Sequence, residues 1–142
     1  MNMARVEYDG FDQIDGLMGK LQRDAIRRIV MAGAEACVEE TRRNMEQYRH
    51  VMTGSMMAGV APGKYHEDIG SGWVEVYPQG DDRRGISNAK KAFVINYGYG
   101  GRRTAKTGDK FITGKTKSMQ GIVSKAMQAE SDRIMQELNG GN

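Results

Sequence analysis

At 142 residues, 39% of them hydrophobic and one of them cysteine (Cys37), the chain is sized for a single domain around a modest core, and it excludes a disulfide framework or a cysteine-built zinc site. The net charge of +3 is unevenly spread, because residues 81–117 hold ten Lys and Arg against three Asp and Glu. No run approaches the roughly 18 consecutive apolar residues of a membrane span, and the first residues lack an apolar stretch of signal-peptide length, so the expectation is a protein of a reducing cytoplasm with no membrane partner.

Residues 5–8 alternate and predict a short strand, ended by Asp9-Gly10. Asp12 or Asp15 then offers a cap for a helix over residues 17–49. Its apolar spacing runs through Leu17, Leu21, Ala25, Ile29, Ala32/Gly33, Ala36/Cys37, Met45 and Tyr48. Lys20, Arg23, Arg27, Arg28, Glu39, Arg42, Arg43 and Glu46 form its charged face, and Gly33 marks a kink or a close packing contact. Residues 51–71 read as a loop holding one short strand over 55–60. A clear strand covers 72–77 and stops at Pro78. Residues 80–85 read as a polar turn or disordered tip, and 91–97 as another strong strand. Residues 98–117 then form a loop of about 20 residues, a length usually reserved for functional or disordered segments. A last helix starts at Thr116 or Ser118, lines up Met119, Ile122/Val123, Ala126, Ile134 and Leu138, and ends at Asn139-Gly140-Gly141.

The order predicts an α+β fold: an antiparallel sheet of about four strands packed against one long N-terminal helix and a C-terminal helix, with a long basic loop. Residues 1–142 form one domain, with 98–117 as a flexible basic segment. Trp73, Val74, Val76, Phe93, Ile95, Leu21, Ile29 and Ile122 are expected to form or border the core. Segments 80–90 and 98–116 combine Gly, charge and few apolar residues, which predicts mobility. With 19 Gly and 2 Pro, the composition suits a chain that orders fully inside an assembly, and its 11 Met suit gap filling.

The chemical motifs fail on spacing. Thr113-Gly114-Lys115-Thr116 lacks the first glycine of a phosphate loop, since that position is Asp109. Gly98-Tyr99-Gly100 would need its third dinucleotide-binding glycine at Arg103. His50 and His66 are isolated, and His66-Glu67-Asp68 reads as a polar surface loop rather than a metal or acid–base site. Asp81-Asp82 reads as a solvated turn, and Ser55 and Cys37 as structural. Trp73 and Tyr77 share a strand face better suited to core or interface than to base stacking. No catalytic, cofactor-binding or metal residue is assigned.

Several segments together resemble the HK-ninety-seven gene-product-ten-like family of tailed bacteriophages. Val6-Glu7-Tyr8-Asp9-Gly10-Phe11-Asp12-Gln13-Ile14 is similar to the family's opening strand, glycine and first helical turn, and the long helix follows. Thr53-Gly54-Ser55-Met56 resembles its Thr-Gly-x-Leu corner. Ala92-Phe93-Val94-Ile95-Asn96-Tyr97-Gly98 resembles its Ala-x-Phe/Tyr-Val-Glu-Phe-Gly strand, and Lys110-Phe111-Ile112 its Pro-Phe-Leu segment. Asn96 in place of the usual Glu, Asp109-Lys110 in place of Arg-Pro, and the missing Pro-Val-Asp before Thr53 are departures.

The resemblance implies a non-enzymatic protein without cofactors, a neck or tail-completion component forming a homo-oligomeric ring, such as a hexamer, at the head-proximal tail end. Its partners would be itself, other neck and tail proteins, and non-specifically the packaged DNA. It would sit in the host cytoplasm during assembly and then in the virion. Arg102, Arg103, Lys106, Lys110, Lys115 and Lys117 are the candidates for a subunit interface or a DNA channel. Rival readings are a free nucleic-acid-binding protein, from the basic segment, and a small metal-dependent hydrolase.

Overall fold

The computed structural model describes residues 4–9, 17–47, 54–99, 106–108 and 116–140. The fold is α+β. Its four-stranded antiparallel sheet is built on β4 (Ser71–Pro78), which pairs with β1 (Arg5–Asp9) along one edge and with β2 (Val60–Pro62) and β3 (His66–Asp68) along the other. β4 alternates strictly: Gly72, Val74, Val76 and Pro78 are buried, while Ser71, Trp73, Glu75 and Tyr77 lie on the outer face. The register sets Val6 beside Val74 and Pro62 beside Val76, extending the buried face across the sheet.

Helix α1 (Leu17–Gln47) lies on that face, with 31 residues spanning roughly 46 Å at 1.5 Å per residue. Its buried stripe is Ile26, Ile29/Val30, Gly33/Ala34, Cys37/Val38, Thr41 and Asn44/Met45, alternating steps of three and four. A stripe drawn every four residues from Leu17 drifts off this line. Leu21 is accordingly 51% exposed and does not belong to the core as expected. The proposed caps Asp12 and Asp15, together with Tyr48, lie outside the described residues.

Helix α4 (Thr116–Gly140) runs antiparallel to α1. Arg28 meets Glu130 and Glu137, Gly33 faces Met127, and Cys37 and Thr41 share a recess of about 310 Å³ with Met119 and Val123. A methyl group added at Gly33 would stand 2.7 Å from Met127 Cγ and 2.9 Å from Val6 Cγ1, so this glycine serves close packing. Ile134 is buried and Ile122 half-buried, whereas Leu138, expected on the same face, is 66% exposed.

Several further sequence expectations need correction. Residues 91–97 are not a strand: α3 (Asn88–Tyr97) is a helix, with Ser87 Oγ accepting from Lys90 N and Gly98, at φ +83°, terminating it. Phe93 consequently leaves the core and is 43% exposed. Residues 55–60 are not one strand but a helical turn, α2 (Ser55–Ala58), leading into β2. His66-Glu67-Asp68 is an exposed strand, β3, rather than a loop. Trp73 is half-buried on the outer face, because its neighbour Val74 already takes the inner one.

Residues 80–87 form a hydrogen-bonded turn rather than a loose tip. Asp82 N donates to Ile86 O and Asn88 N donates to Gly80 O, both at 2.9 Å. Within 98–117 the described residues add a short pairing and the start of the last helix, and the rest of the segment lies outside the described residues. Gly98–Tyr99 (β5) pairs with Lys106–Thr107 (β6), and α4 begins at Thr116.

Core and surface assignments separate by mutation. Ile29→Ala is expected to cost about 2–5 kcal/mol, whereas exposed Phe93→Ala should change stability by only about 0.5 kcal/mol; denaturant titration reads both. Gly72 is a second check, since a Cβ there would sit 1.9 Å from the Tyr65 hydroxyl and 3.0 Å from Ile26 Cγ2. Gly72→Ala should destabilise by about 1–3 kcal/mol. Tyr65→Phe should leave stability unchanged or raise it, because the buried hydroxyl has no hydrogen-bond partner among the described residues.

Candidate interaction surface

The α3 segment faces two ways. Asn88, Ala92 and Asn96, four residues apart, are buried against the body of the protein. Asn88 Nδ2 donates to Gln79 O at 2.9 Å and to Ser55 Oγ at 3.2 Å, and Gln79 Nε2 donates to Ala61 O and Pro62 O. One polar knot therefore ties α3 to α2, β2 and the end of β4. Ser55, considered as a nucleophile, is a member of this knot.

The opposite face is apolar and open. Phe93 and Tyr97, one turn apart, have ring centroids 4.7 Å apart, and Tyr97 is 50% exposed. Val94 and Ile86 are exposed beside them. Ile86, Lys90, Lys91, Val94 and Ile95 bound a shallow groove of about 370 Å³. Monomeric surfaces tolerate isolated apolar side chains, but several on one ridge mark a contact surface.

The turn before α3 is set by Asp82. Its carboxylate accepts from Ile86 N at 3.0 Å, Arg84 N at 2.8 Å and Lys91 Nζ at 3.1 Å. Only 6% of this side chain is accessible, so the expected solvated turn residue is an anchor. The Ile86 N–H, then Lys91 and the Arg84 N–H, hold the Asp82 carboxyl down at about 2, against partial desolvation.

Of the six basic candidates, Arg102, Arg103, Lys110 and Lys115 lie outside the described residues. Lys106 is in β6, opposite Tyr99, and Lys117 is exposed in the first turn of α4. His50 also lies outside the described residues. Trp73 stacks with His66 at 4.0 Å and carries Arg5 over its ring at 4.0 Å, so its indole is already engaged by its own chain. Cys37 is buried, and desolvation pushes its thiol upward against a hydrogen bond with Thr41. Among the described residues, no group of three or more His, Cys, Asp and Glu is placed to hold a metal ion, and no helix is long and apolar enough to cross a membrane.

Compared with known proteins, the chain matches no family model, no curated protein and no solved structure.

The Asp82 anchor has a pH signature. Its folded-state pKa is depressed, so its contribution is present above the ordinary value of 3.8 and is lost as pH falls through about 2. Thermal melts followed by circular dichroism should show Asp82→Ala lowering Tm at neutral pH. The variant's Tm difference from wild type should shrink as pH falls between those two values.

Proposed function

We propose that this chain is a structural subunit of a tailed bacteriophage, without catalytic activity, forming a ring at the head–tail junction or the head-proximal tail end. The observation that carries the reading is the exposed apolar ridge of α3. It lies within residues 92–98, which are helical here although the family segment they resemble is a strand, so the ridge supports assembly while the family reading rests on the other matched segments, and Gly98 leads directly into the basic segment. A rigid apolar surface next to a run of Arg and Lys suits protein assembly around a polyanion. In this reading residues 98–117 lie at a subunit interface or line the DNA channel. At a channel, Arg102, Arg103, Lys106, Lys110, Lys115 and Lys117 act on phosphates without sequence preference. At an interface, Arg102 and Arg103 pair with carboxylates of the next subunit. The protein assembles in the host cytoplasm with other neck and tail proteins and ends in the virion.

Complementation of a phage lacking the gene tests this. The deletion should abolish joining of heads to tails. Arg102→Ala combined with Arg103→Ala should leave the fold intact and reduce infectious yield. A normal yield from the deletion overturns the structural reading, and a normal yield from the double variant overturns the role of the basic segment.

A further inference from the structure

The α3 ridge has a counterpart elsewhere on the same chain. A second groove, of about 330 Å³, runs between α1 and β2, with Val38, Ala61 and Pro62 at its floor and Glu35, Glu39 and Arg42 along its rim. Arg42 is committed internally: its Nε donates to Met57 O and its Nη2 to Val60 O, both at 3.1 Å. Glu35 and Glu39 are exposed, stand four residues apart on one helix face, and form no ion pair among the described residues. Two like charges at that spacing repel. The groove is therefore an apolar floor whose rim carries two carboxylates against the one guanidinium of Arg42, leaving it net acidic.

The α3 surface is its complement. It offers Ile86, Phe93, Val94 and Tyr97 as protruding apolar groups. Lys91 is spent on Asp82 at 3.1 Å, but exposed Lys90 has no ion pair among the described residues. Exposed apolar side chains beside a free basic group thus match, in polarity and sign, an apolar floor with a net acidic rim.

We infer that the α3 ridge of one copy docks into the α1–β2 groove of a second copy, with Lys90 meeting Glu35 and Glu39. The inference rests on the reading of the chain as an assembling subunit and names the surfaces that reading leaves open. Because ridge and groove are different surfaces, the contact is head-to-tail. It repeats until the rotation closes a ring or, failing closure, continues as a filament. Binding relieves the Glu35–Glu39 repulsion and covers the ridge at once. The α3 helix is already fixed from behind by Asn88, so little ordering opposes the contact.

The test uses two variants of the full chain, Val94→Asp on the ridge and Glu35→Lys with Glu39→Lys in the groove. All three positions are exposed, and melts should match wild type. Each variant alone should weaken self-association about tenfold or more, as read by sedimentation or light scattering. Mixed, they should form a one-to-one heterodimer, because the first retains its groove and the second its ridge. Association that persists unchanged in both variants overturns the pairing and leaves the assembly reading intact, since that reading stands or falls with the phage complementation. A mixture that stays monomeric overturns the pairing too. Loss of head–tail joining by Val94→Asp with unchanged self-association also overturns it, assigning the ridge to a different protein.

Discussion

Strand β4 is the constraint on which the architecture depends. Every other strand of the main sheet pairs with it, and its period-two alternation decides which residues meet α1. Val74 and Val76 are each at most 2% exposed and lie under the helix stripe formed by Ile26, Val30, Ala34 and Cys37. Gly72 leaves the space that Tyr65 and Ile26 occupy. Pro78 has no N–H to give, and it stands beyond the reach of β1, whose ladder toward this end stops where Val76 N donates to Ala4 O. Past Pro78, Gln79 N still donates to Gly59 O, and side chains join the backbone bonds: Gln79 Nε2 holds the β2 carbonyls and Asn88 holds Gln79 O. The position of α3 is thus a consequence of where β4 stops.

The α1–α4 pair shows which forces set position and which set register. Arg28 donates to Glu130 Oε1 at 2.8 Å and to Glu137 Oε2 at 2.7 Å. The Glu137 contact, then that with Glu130, holds the guanidinium above its ordinary value, while Arg28 in turn holds the Glu137 carboxyl below its own. Both Arg28 and Glu137 are open to solvent, where screening leaves such pairs little net stabilisation. The apolar contacts weigh more, since a fully buried aliphatic side chain contributes about 1.5–3 kcal/mol. Ile134, 8% exposed, and Met127 against Gly33 therefore do most to hold α4 in place, with the Arg28 fork to Glu130 and Glu137 adding a directional contact between the two helices.

The long helices and β4 were legible because local side-chain periodicity reflects burial directly. Thirty-one residues of α1 repeat the same decision, and β4 repeats its own four times. α3 was illegible as a helix because Phe93-Val94-Ile95 has strong strand propensity and the anchoring pattern is polar. The signal was present in Ser87 as a cap, Gly98 as a stop, and Asn88, Ala92 and Asn96 four apart, but buried asparagines do not register in a hydrophobic period. β3 was illegible for the opposite reason: three exposed polar residues carry no burial pattern, and the strand exists because β4 supplies the ladder and Trp73 the stacking partner for His66. The basic candidates were read from charge alone, which marks a segment but fixes no geometry. The ridge carries no sequence signal of its own, since large apolar residues usually belong to the core.

Fold and surface are separable in this protein because α3 is secured by its polar back rather than its apolar front. Had Phe93 and Tyr97 anchored the helix, any change to the outer surface would also have loosened the domain. Instead Asn88, 2% exposed, and Asn96, 1% exposed, sit on the inner face, where a buried amide must keep its partners and so restricts the helix to one pose. The outer face can then vary in side chain without altering the backbone beneath it. A helix held this way presents its apolar groups already in position, and the association cost that remains is mainly translational and rotational. The exposed ridge of α3 thus stands on a backbone fixed from its inner face, so its side chains are oriented by the fold rather than by one another.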